Sequence, residues 1–270
     1  MRLGIYSKSN LRDHPIKTSL TDGLRALGQE VVELNELGDT SGYQYLLVFG
    51  GDGTMLYAAT RSACPVLGIN LGNVGFLTQV EADIDAQGII DTLKDCDIES
   101  KPILEVCINS KRYLALNDFV VKTTSPRPIS LSVNVNGSFV DKYHSDGLIV
   151  STPSGSTAYS LSAGGPVVSP DVKAIIINPI CAHSLHSRPL IVSDGCTLDI
   201  TIDGENTWLI VDGREQVALG DFTDIRISVS NQKAQFISDK KNFYNKLLDK
   251  MNKWGVTKQA PNKVKNGKSN

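Results

Sequence analysis

The stretch Phe49-Gly50-Gly51-Asp52-Gly53-Thr54 follows the apolar run 45–48 and precedes a helix-like segment that begins at Met55. The pattern predicts a strand, a glycine turn and a helix start, with Thr54 as the helix N-cap. Glycines let the backbone approach a phosphate, and the amides of such a turn bind anions with the help of the helix dipole. Phosphate repels a carboxylate, so Asp52 is predicted to hold a cation, orient a hydroxyl or accept its proton. An ordinary acidic turn has the same pattern, so the rest of the chain must distinguish the two.

The composition is that of an ordinary globular protein. The 270 residues are 41% hydrophobic and 21% charged, and the net charge of -2 gives no reason to expect nucleic acid as a partner. No apolar run approaches the length of a membrane span, and the first residues indicate a strand, so we expect a cytoplasmic protein without membrane contact. The five cysteines are scattered, and the cluster at 181–186 lacks a second group of ligands for a structural zinc site.

Strand and helix patterns alternate over the first hundred residues. Apolar runs of strand length occur at 3–6, 31–34, 45–49 and 66–69, and helical spacing occurs at 16–27 and 84–93. This alternation predicts a parallel sheet covered by helices, with ligands at the carboxyl ends of its strands. The glycine turn and a second glycine-rich segment, 70–77, both follow strands of this sheet. We therefore expect the two segments to line one cleft.

After Pro102 the pattern changes to a period of two. Residues 129–135 alternate apolar and polar side chains, Asn136-Gly137 supplies a tight turn and 138–143 returns, which predicts a β-hairpin. Further strands are predicted at 103–108, 119–122, 148–151, 174–177, 197–202, 208–211 and 225–229. We predict an α/β domain with a parallel sheet over 1–100 and a mostly β, sandwich-like domain over 101–235. A C-terminal helix within 236–256 is predicted to pack back on the first domain, and 257–270 to be a disordered tail.

Polar residues of the β-rich part indicate a binding site. Asn117 and Asp118 pair an amide with a carboxylate, which suits a base edge and ribose hydroxyls, although an Asx turn uses the same residues. The segment 151–166 carries so many hydroxyls and glycines that a binding loop explains it better than core packing does. Within this segment, Tyr159 is suited either to stack on a base or to serve as a core aromatic residue.

These motifs, in this order and spacing, resemble those of the NAD kinases, which belong to the diacylglycerol-kinase-like superfamily. The similarity extends from Leu3 to about Trp254 and is most specific between Asp146 and Pro166. It implies a magnesium-dependent enzyme that phosphorylates the 2′-hydroxyl of the adenosine ribose of NAD to make NADP. The implied donor is ATP, with polyphosphate as an open possibility. The resemblance also implies an α/β domain followed by a sandwich-like β domain, and a homodimer or homotetramer with shared active sites.

The same resemblance implies roles for individual residues. Asp52 is the base that accepts the 2′-hydroxyl proton, and Asp146 reaches the nicotinamide end of a neighbouring subunit's NAD. Two positions depart from the family pattern, because His144 stands where Arg or Lys is expected and Arg214 where Gln is usual. The implied phosphate-binding residues are Gly50, Gly51, Gly53 and Thr54; the implied NAD-binding residues are Asp52, Gly53, Phe76, Asn117, Asp118, His144, Asp146, Thr157, Ala158, Tyr159 and Ser162. The metal ligands stay open.

Two other functions are compatible with parts of the pattern. A lipid kinase of the diacylglycerol or sphingosine type shares the glycine motif, but no stretch has the pattern of an amphipathic membrane helix. A dinucleotide sensor that binds without catalysis would gain nothing from a carboxylate at Asp52 that faces phosphate. The donor range, the acceptance of NADH and feedback by NADP stay open at this point.

Overall fold

The structure, a computed structural model, describes residues 1–71, 77–81, 83–184, 186–238, 243–245, 247–248 and 252, without the side chains of Glu81 and Phe222. Residues 1–238 form one compact unit and 239–270 a second. The residues described beyond 242 are helical. The predicted packing of the C-terminal helix on the first domain, and the predicted tail, lie outside the described residues. Within the described part of the chain, we find no helix that is both long and apolar enough to cross a membrane.

The first part of the chain is an α/β unit, as the alternating pattern predicts. Its parallel strands have the order β4-β3-β1-β2. They are β1 (Arg2–Ser7), β2 (Glu30–Leu34), β3 (Tyr45–Phe49) and β4 (Val66–Asn70), with the short β5 (Val80–Glu81) beside β4. The helices are α1 (Pro15–Ala26), α2 (Asp52–Ala59) and α3 (Ala86–Lys94). Apolar side chains of α1 and α3 cover one face of the sheet and those of α2 the other, so ligands can reach only its edges.

The second part is mostly antiparallel β structure in two sheets. One sheet continues from the α/β unit and contains β6 (Ile98–Ile108), β7 (Lys111–Ala115), β9 (Ile129–Val135), β10 (Ser138–Ser145), β14 (Leu198–Asp203) and β17 (Phe222–Ile237). The other sheet has the order β13-β12-β11-β8-β15-β16. Its strands are β8 (Asp118–Thr123), β11 (Gly147–Ser151), β12 (Ala174–Ile180), β13 (Leu190–Ser193), β15 (Thr207–Val211) and β16 (Glu215–Ala218). Inward side chains of both sheets form a single core, which confirms the sandwich-like prediction.

Two short helical segments follow β11. A 3-10 turn covers Ser154–Thr157, and a single helical turn, α4, covers Tyr159–Ser162. Another 3-10 turn, Ser9–Leu11, follows β1. These segments lie at strand ends, where the polar residues predicted to bind ligands are also found.

The predicted N-cap at Thr54 is wrong. The helix begins at Asp52 with Gly51 as its N-cap, so Thr54 is already in the first helical turn, where its N–H donates to the Gly51 carbonyl at 2.9 Å. The Thr54 side chain is buried and lies directly beside Gly50. The chain enters the helix early because Gly50 adopts a φ of +147°, which L side chains rarely adopt, and this bend completes the turn within two glycines.

Candidate active site

The glycine turn lies at the carboxyl end of β3. The Gly50 N–H donates to the carbonyl of Ile69 on β4 at 3.1 Å, so this amide and that of Thr54 are used within the protein. A methyl group added at Gly51 or Gly53 would meet no atom of the described residues within 4 Å. Among the residues that the structure describes, the amides of Gly51 and Gly53 have no backbone partner. Gly50 and Thr54 therefore shape the turn, while Gly51 and Gly53 present open space and N–H groups at the helix start.

Asp52 occupies the first position of α2, where the helix dipole favours a negative charge. Its Oδ1 accepts a hydrogen bond from the N–H of Leu77 at 2.9 Å. Leu77 is the last residue of the second glycine-rich segment, so this end of the segment lies beside the glycine turn, whereas residues 72–76 lie outside the described residues. Phe76, the predicted pocket residue next to it, lies outside the described residues. The carboxylate of Asp52 is thus held in a fixed orientation beside the amides of the turn.

Asp118 begins β8 and Asn117 directly precedes it, at one end of the six-stranded sheet. The facing end of β11 leads directly into the hydroxyl-rich loop, because Ser151 pairs with Asp118. The Thr152 N–H donates to the Asn117 carbonyl at 2.9 Å, and a methyl group at Gly155 would lie 2.1 Å from that same oxygen. Only glycine permits this approach, so the loop packs against the backbone that carries Asn117 and Asp118.

Four further predicted residues lie farther along this loop: Thr157, Ala158, Tyr159 and Ser162. Thr157 is buried, whereas Ala158 is half-buried and Ser162 is exposed. Tyr159 begins α4 with 43% of its surface exposed, so it is not the core aromatic that the sequence left open as an alternative. The helical turn α4 is anchored by Asn178 on β12, whose Nδ2 donates a hydrogen bond to the Ser160 carbonyl at 2.9 Å. The exposed ring and hydroxyl groups are thus carried by an anchored segment.

The carboxylate of Asp118 is buried, and the neighbouring charge of Asp212 acts on it. Burial raises the pKa of both groups. At Asp212 hydrogen bonds oppose the effect of burial on the pKa. Its carboxylate accepts hydrogen bonds from the N–H groups of Leu116, Asn117 and Asp118 at 3.0, 2.7 and 3.1 Å. Asp118 has no such donor among the described residues. Burial, and the nearby charge of Asp212, raise the pKa of Asp118 to about 7.

Arg214 makes a contact that sequence reasoning misses. Its Nη1 donates to the carbonyl of Gly53, and its guanidinium lies over the ring of Tyr57 at 5.0 Å from the centroid. Arg214 and Tyr57 line a cavity of about 220 Å³ between α2 and the β15–β16 hairpin. The Asp212-Gly213 dipeptide after an apolar run is a recognisable hairpin signal. The contact of the next residue, Arg214, with Gly53, 161 positions earlier, cannot be inferred from the sequence.

His144 and Asp146 lie apart from this group. Asp146 precedes β11 and Ser151 ends it, and a five-residue strand separates its ends by about 13 Å. The ring of His144 meets that of His183 edge-on, with 5.5 Å between the centroids. Within the described parts of the chain, no three His, Cys, Asp or Glu side chains are grouped as a metal site. The turn at Asp212–Arg214 thus contacts both the Asn117–Asp118 segment and the start of α2 beside Asp52, whereas Asp146 lies at the other end of β11.

A carboxylate in a glycine turn at a helix start, linked through a hairpin to a buried carboxylate beside a hydroxyl-rich loop, defines a phosphotransferase that acts on a nucleotide. Comparisons with known proteins identify the kind. The model of the ATP-NAD kinase N-terminal domain matches residues 8–97, and that of the ATP-NAD kinase C-terminal domain matches 116–238. The chain therefore belongs to the NAD kinase family, whose members are enzymes that phosphorylate NAD to NADP.

Individual relatives agree. The NAD kinase of Caldicellulosiruptor bescii is 38% identical over 78% of this chain and 84% of its own length. The NAD kinase of Methanosphaera stadtmanae is 35% identical over 93% of this chain and 99% of its own length. The crystal structure of an NAD kinase from Archaeoglobus fulgidus in complex with ATP has a TM-score of 0.81, 29% identity, and covers 93% of this chain and 99% of that one.

The yeast NADH kinase complexed with NADH shares the fold. Its TM-score is 0.77 with 22% identity, over 96% of this chain and 89% of that one. The comparisons do not support the lipid kinase and the non-catalytic sensor considered above. They confirm the fold class predicted from the sequence.

Proposed function

We propose that this chain transfers the terminal phosphoryl group of ATP to the 2′-hydroxyl of the adenosine ribose of NAD, with Asp52 as the general base. The observation that carries this assignment is the carboxylate of Asp52, oriented by the Leu77 N–H and placed beside the amides of Gly51 and Gly53. In this arrangement a hydroxyl bound at Asp52 loses its proton to the carboxylate. A bond then forms between the ribose oxygen and the terminal phosphorus, the bond from that phosphorus to the bridging oxygen breaks, and ADP leaves.

We assign the acceptor's adenosine to the region around Asn117. The Asn117 side chain offers an amide for the adenine edge, and Asp118 in its ionised form accepts the ribose hydroxyls. Thr157, Ala158 and Ser162 line the pocket, and the exposed ring of Tyr159 stacks on the base. These roles are supported by the packing of the 151–157 loop on the Asn117 backbone, which brings them to one end of the sheet.

Magnesium is the proposed cofactor. Mg²⁺ is usually held by one or two carboxylates together with substrate phosphates, and Asp52 beside open glycine amides fits that donor set. Asp52 and the donor phosphates would hold the ion, which supplies charge neutralisation at the transferring phosphoryl group. The turn itself orients the donor, since its N–H groups and helix dipole lie where the phosphates must approach.

We further propose a cytoplasmic homo-oligomer with shared sites. Five free cysteines, with Cys107 and Cys181 exposed, fit a reducing compartment. The distance between Asp146 and the Asp118 end of β11 is accounted for if Asp146 serves a neighbouring subunit. We also keep the proposed organisation into 1–100 with 236–256, 101–235, and a tail from 257.

Replacement of Asp52 by Asn tests the assignment. The amide keeps the size of the carboxylate and can still accept the Leu77 N–H, but it cannot take up a proton. With ATP, magnesium and NAD, we expect NADP formation to fall by about 10²-fold to 10⁴-fold, while NAD affinity by calorimetry stays within a few-fold of that of wild type. A variant with near-normal turnover would remove Asp52 from the mechanism. A wild-type chain that makes no NADP would refute the proposed reaction itself.

A further inference from the structure

The β15–β16 hairpin ends in a two-residue turn whose geometry is tightly specified. Asp212 and Gly213 both have positive φ, at +49° and +65°, and the Arg214 N–H donates to the Val211 carbonyl at 2.9 Å. These are the features of a turn that matches the twist of the strands it joins. The side chains of Asp212 and Arg214 therefore leave the tip in fixed directions.

The Asp212 side of the turn contacts residues 116–118, which lead into β8. Besides accepting the N–H groups of residues 116–118, Asp212 donates its own N–H to the Asp118 carbonyl at 3.0 Å. Four hydrogen bonds thus tie one residue to the three-residue segment that carries Asn117 and Asp118. These bonds fix both the backbone and the side chain of Asp212 against the segment, so this contact is stiff.

The Arg214 side of the turn holds the start of α2. Its guanidinium donates to the Gly53 carbonyl and covers the ring of Tyr57. Gly53 and Tyr57 are four positions apart and so lie on the same face of the helix. Tyr57 is itself fixed, because its ring stacks on Tyr6 at 5.7 Å and carries Arg61 at 4.2 Å from its centroid. A planar guanidinium suits this combination of carbonyl and ring.

We infer that the turn Asp212-Gly213-Arg214 is a clamp that sets the position of the catalytic turn relative to the acceptor-binding segment. One end of the clamp holds Gly53, next to the proposed base, and the other holds Asn117 and Asp118. Phosphoryl transfer needs the attacking oxygen and the donor in line, and a misplacement of about 1 Å costs about 10²-fold in rate. Arg214 and Asp212 are therefore positioning residues.

The test compares Arg214→Met and Arg214→Lys with wild type. We expect Arg214→Met, which keeps the length of the side chain but removes the guanidinium, to lower kcat by about 10-fold to 100-fold while KM for ATP and for NAD stay near wild-type values, because alignment is lost and binding is not. Arg214→Lys restores only part of kcat, because an ammonium group can reach a carbonyl but cannot lie flat on Tyr57. Arg226→Met is the matched control, since Arg226 is an exposed arginine that pairs with Asp199 on β14.

Two results would overturn the inference. A rise in KM for ATP with unchanged kcat would make Arg214 a phosphate-binding residue, and unchanged kinetics would leave it without a role. Arg214 is exposed, so we expect thermal unfolding of Arg214→Met to match that of Arg226→Met. The inference rests on the proposed roles of Asp52 and Asp118. An active enzyme that is indifferent to Arg214→Met refutes the clamp alone, whereas an enzyme unaffected by Asp52→Asn refutes the roles on which it rests.

Discussion

Asp118 lies at a point where binding and stability oppose each other. Its residue surface is only 4% exposed, and among the described residues Asp212 is the charged neighbour that acts on it, with the same sign. A carboxylate in this environment is costly when ionised and without a ligand. Ribose hydroxyls would supply the missing donors. In the proposed role, binding of a diol would thus relieve the unfavourable environment that Asp118 has in the free protein.

Replacement of Asp118 by Asn should stabilise the ligand-free protein at neutral pH. The folded-state pKa of Asp118 is raised to about 7, above the unfolded value of 3.8, so the wild type loses stability as pH rises from about 4 to about 7. Asn does not ionise, so its advantage grows across this window to a limit of roughly 4 kcal/mol and is constant above it. Urea unfolding of both proteins between pH 5 and pH 8 measures the difference; a gap that does not change with pH would contradict the raised pKa.

The same variant should bind NAD less well, by roughly 1 to 3 kcal/mol, since the ribose hydroxyls lose a charged acceptor. Binding of NADP should be harmed less, because the carboxylate of the wild type repels a 2′-phosphate. Calorimetric titration of both nucleotides separates these effects. An equal loss for the two ligands would show that Asp118 does not sense the 2′ position.

At the scale of elements, local signals predict local structure. The segment 129–135 with Asn136-Gly137 forms β9 and its hairpin as predicted, because strict alternation and a turn dipeptide together fix the register. Strand β7 is missed because Lys111 and Arg112 hide its alternation, and β16 because only two of its residues are apolar. Strand β17 is predicted only at 225–229, since its polar middle gives no periodic signal, yet it extends to Ile237.

The candidate site shows the same division. The glycine turn, Asn117-Asp118 and the hydroxyl-rich loop are found from residue type and spacing, because each is a short segment with its chemistry concentrated in it. Arg214 is visible only as a departure from the family pattern, and Asp212 as a turn residue. Their contacts with Gly53 and with residues 116–118 depend on how distant strands are arranged, and no local pattern encodes that arrangement.

Two substitutions in the glycine turn should separate shape from binding. At Gly53, in a helical turn, a methyl group meets no atom of the described part of the chain within 4 Å. Gly53→Ala should therefore raise stability by about 0.5 to 1 kcal/mol and yet impair use of ATP, since the methyl group fills the proposed phosphate approach. At Gly50 the φ of +147° and a Thr54 Oγ1 at 2.7 Å oppose any side chain, so Gly50→Ala should lose more than about 1 kcal/mol. Thermal unfolding and the KM for ATP check both; a fully active Gly53→Ala would contradict phosphate binding at this turn.

At the scale of the whole compact unit, one sheet of eleven strands runs through both parts of the fold. Strand β17 pairs with β14 of the sandwich and, through Phe236 and Val66, with β4 of the α/β unit. Strand β6 accompanies it along both regions. The two parts that carry the proposed donor turn and the proposed acceptor region are therefore joined by backbone hydrogen bonding between strands as well as by the contacts of Asp212 and Arg214.

The position of Asp146 leads to a prediction about assembly. If it completes a site on a neighbouring subunit, each site combines Asp52 of one chain with Asp146 of another. Asp52→Asn and Asp146→Asn should each be impaired alone, yet hetero-oligomers purified with two affinity tags should regain NADP formation, because each heterodimeric pair contains one site with both residues intact. The matched control combines Asp52→Asn with Gly53→Ala. These substitutions lie in the same turn, so mixing them creates no intact site and should give no gain over Gly53→Ala. A fully active monomer in sedimentation, or tagged hetero-oligomers that regain nothing, would place the action of Asp146 within its own chain.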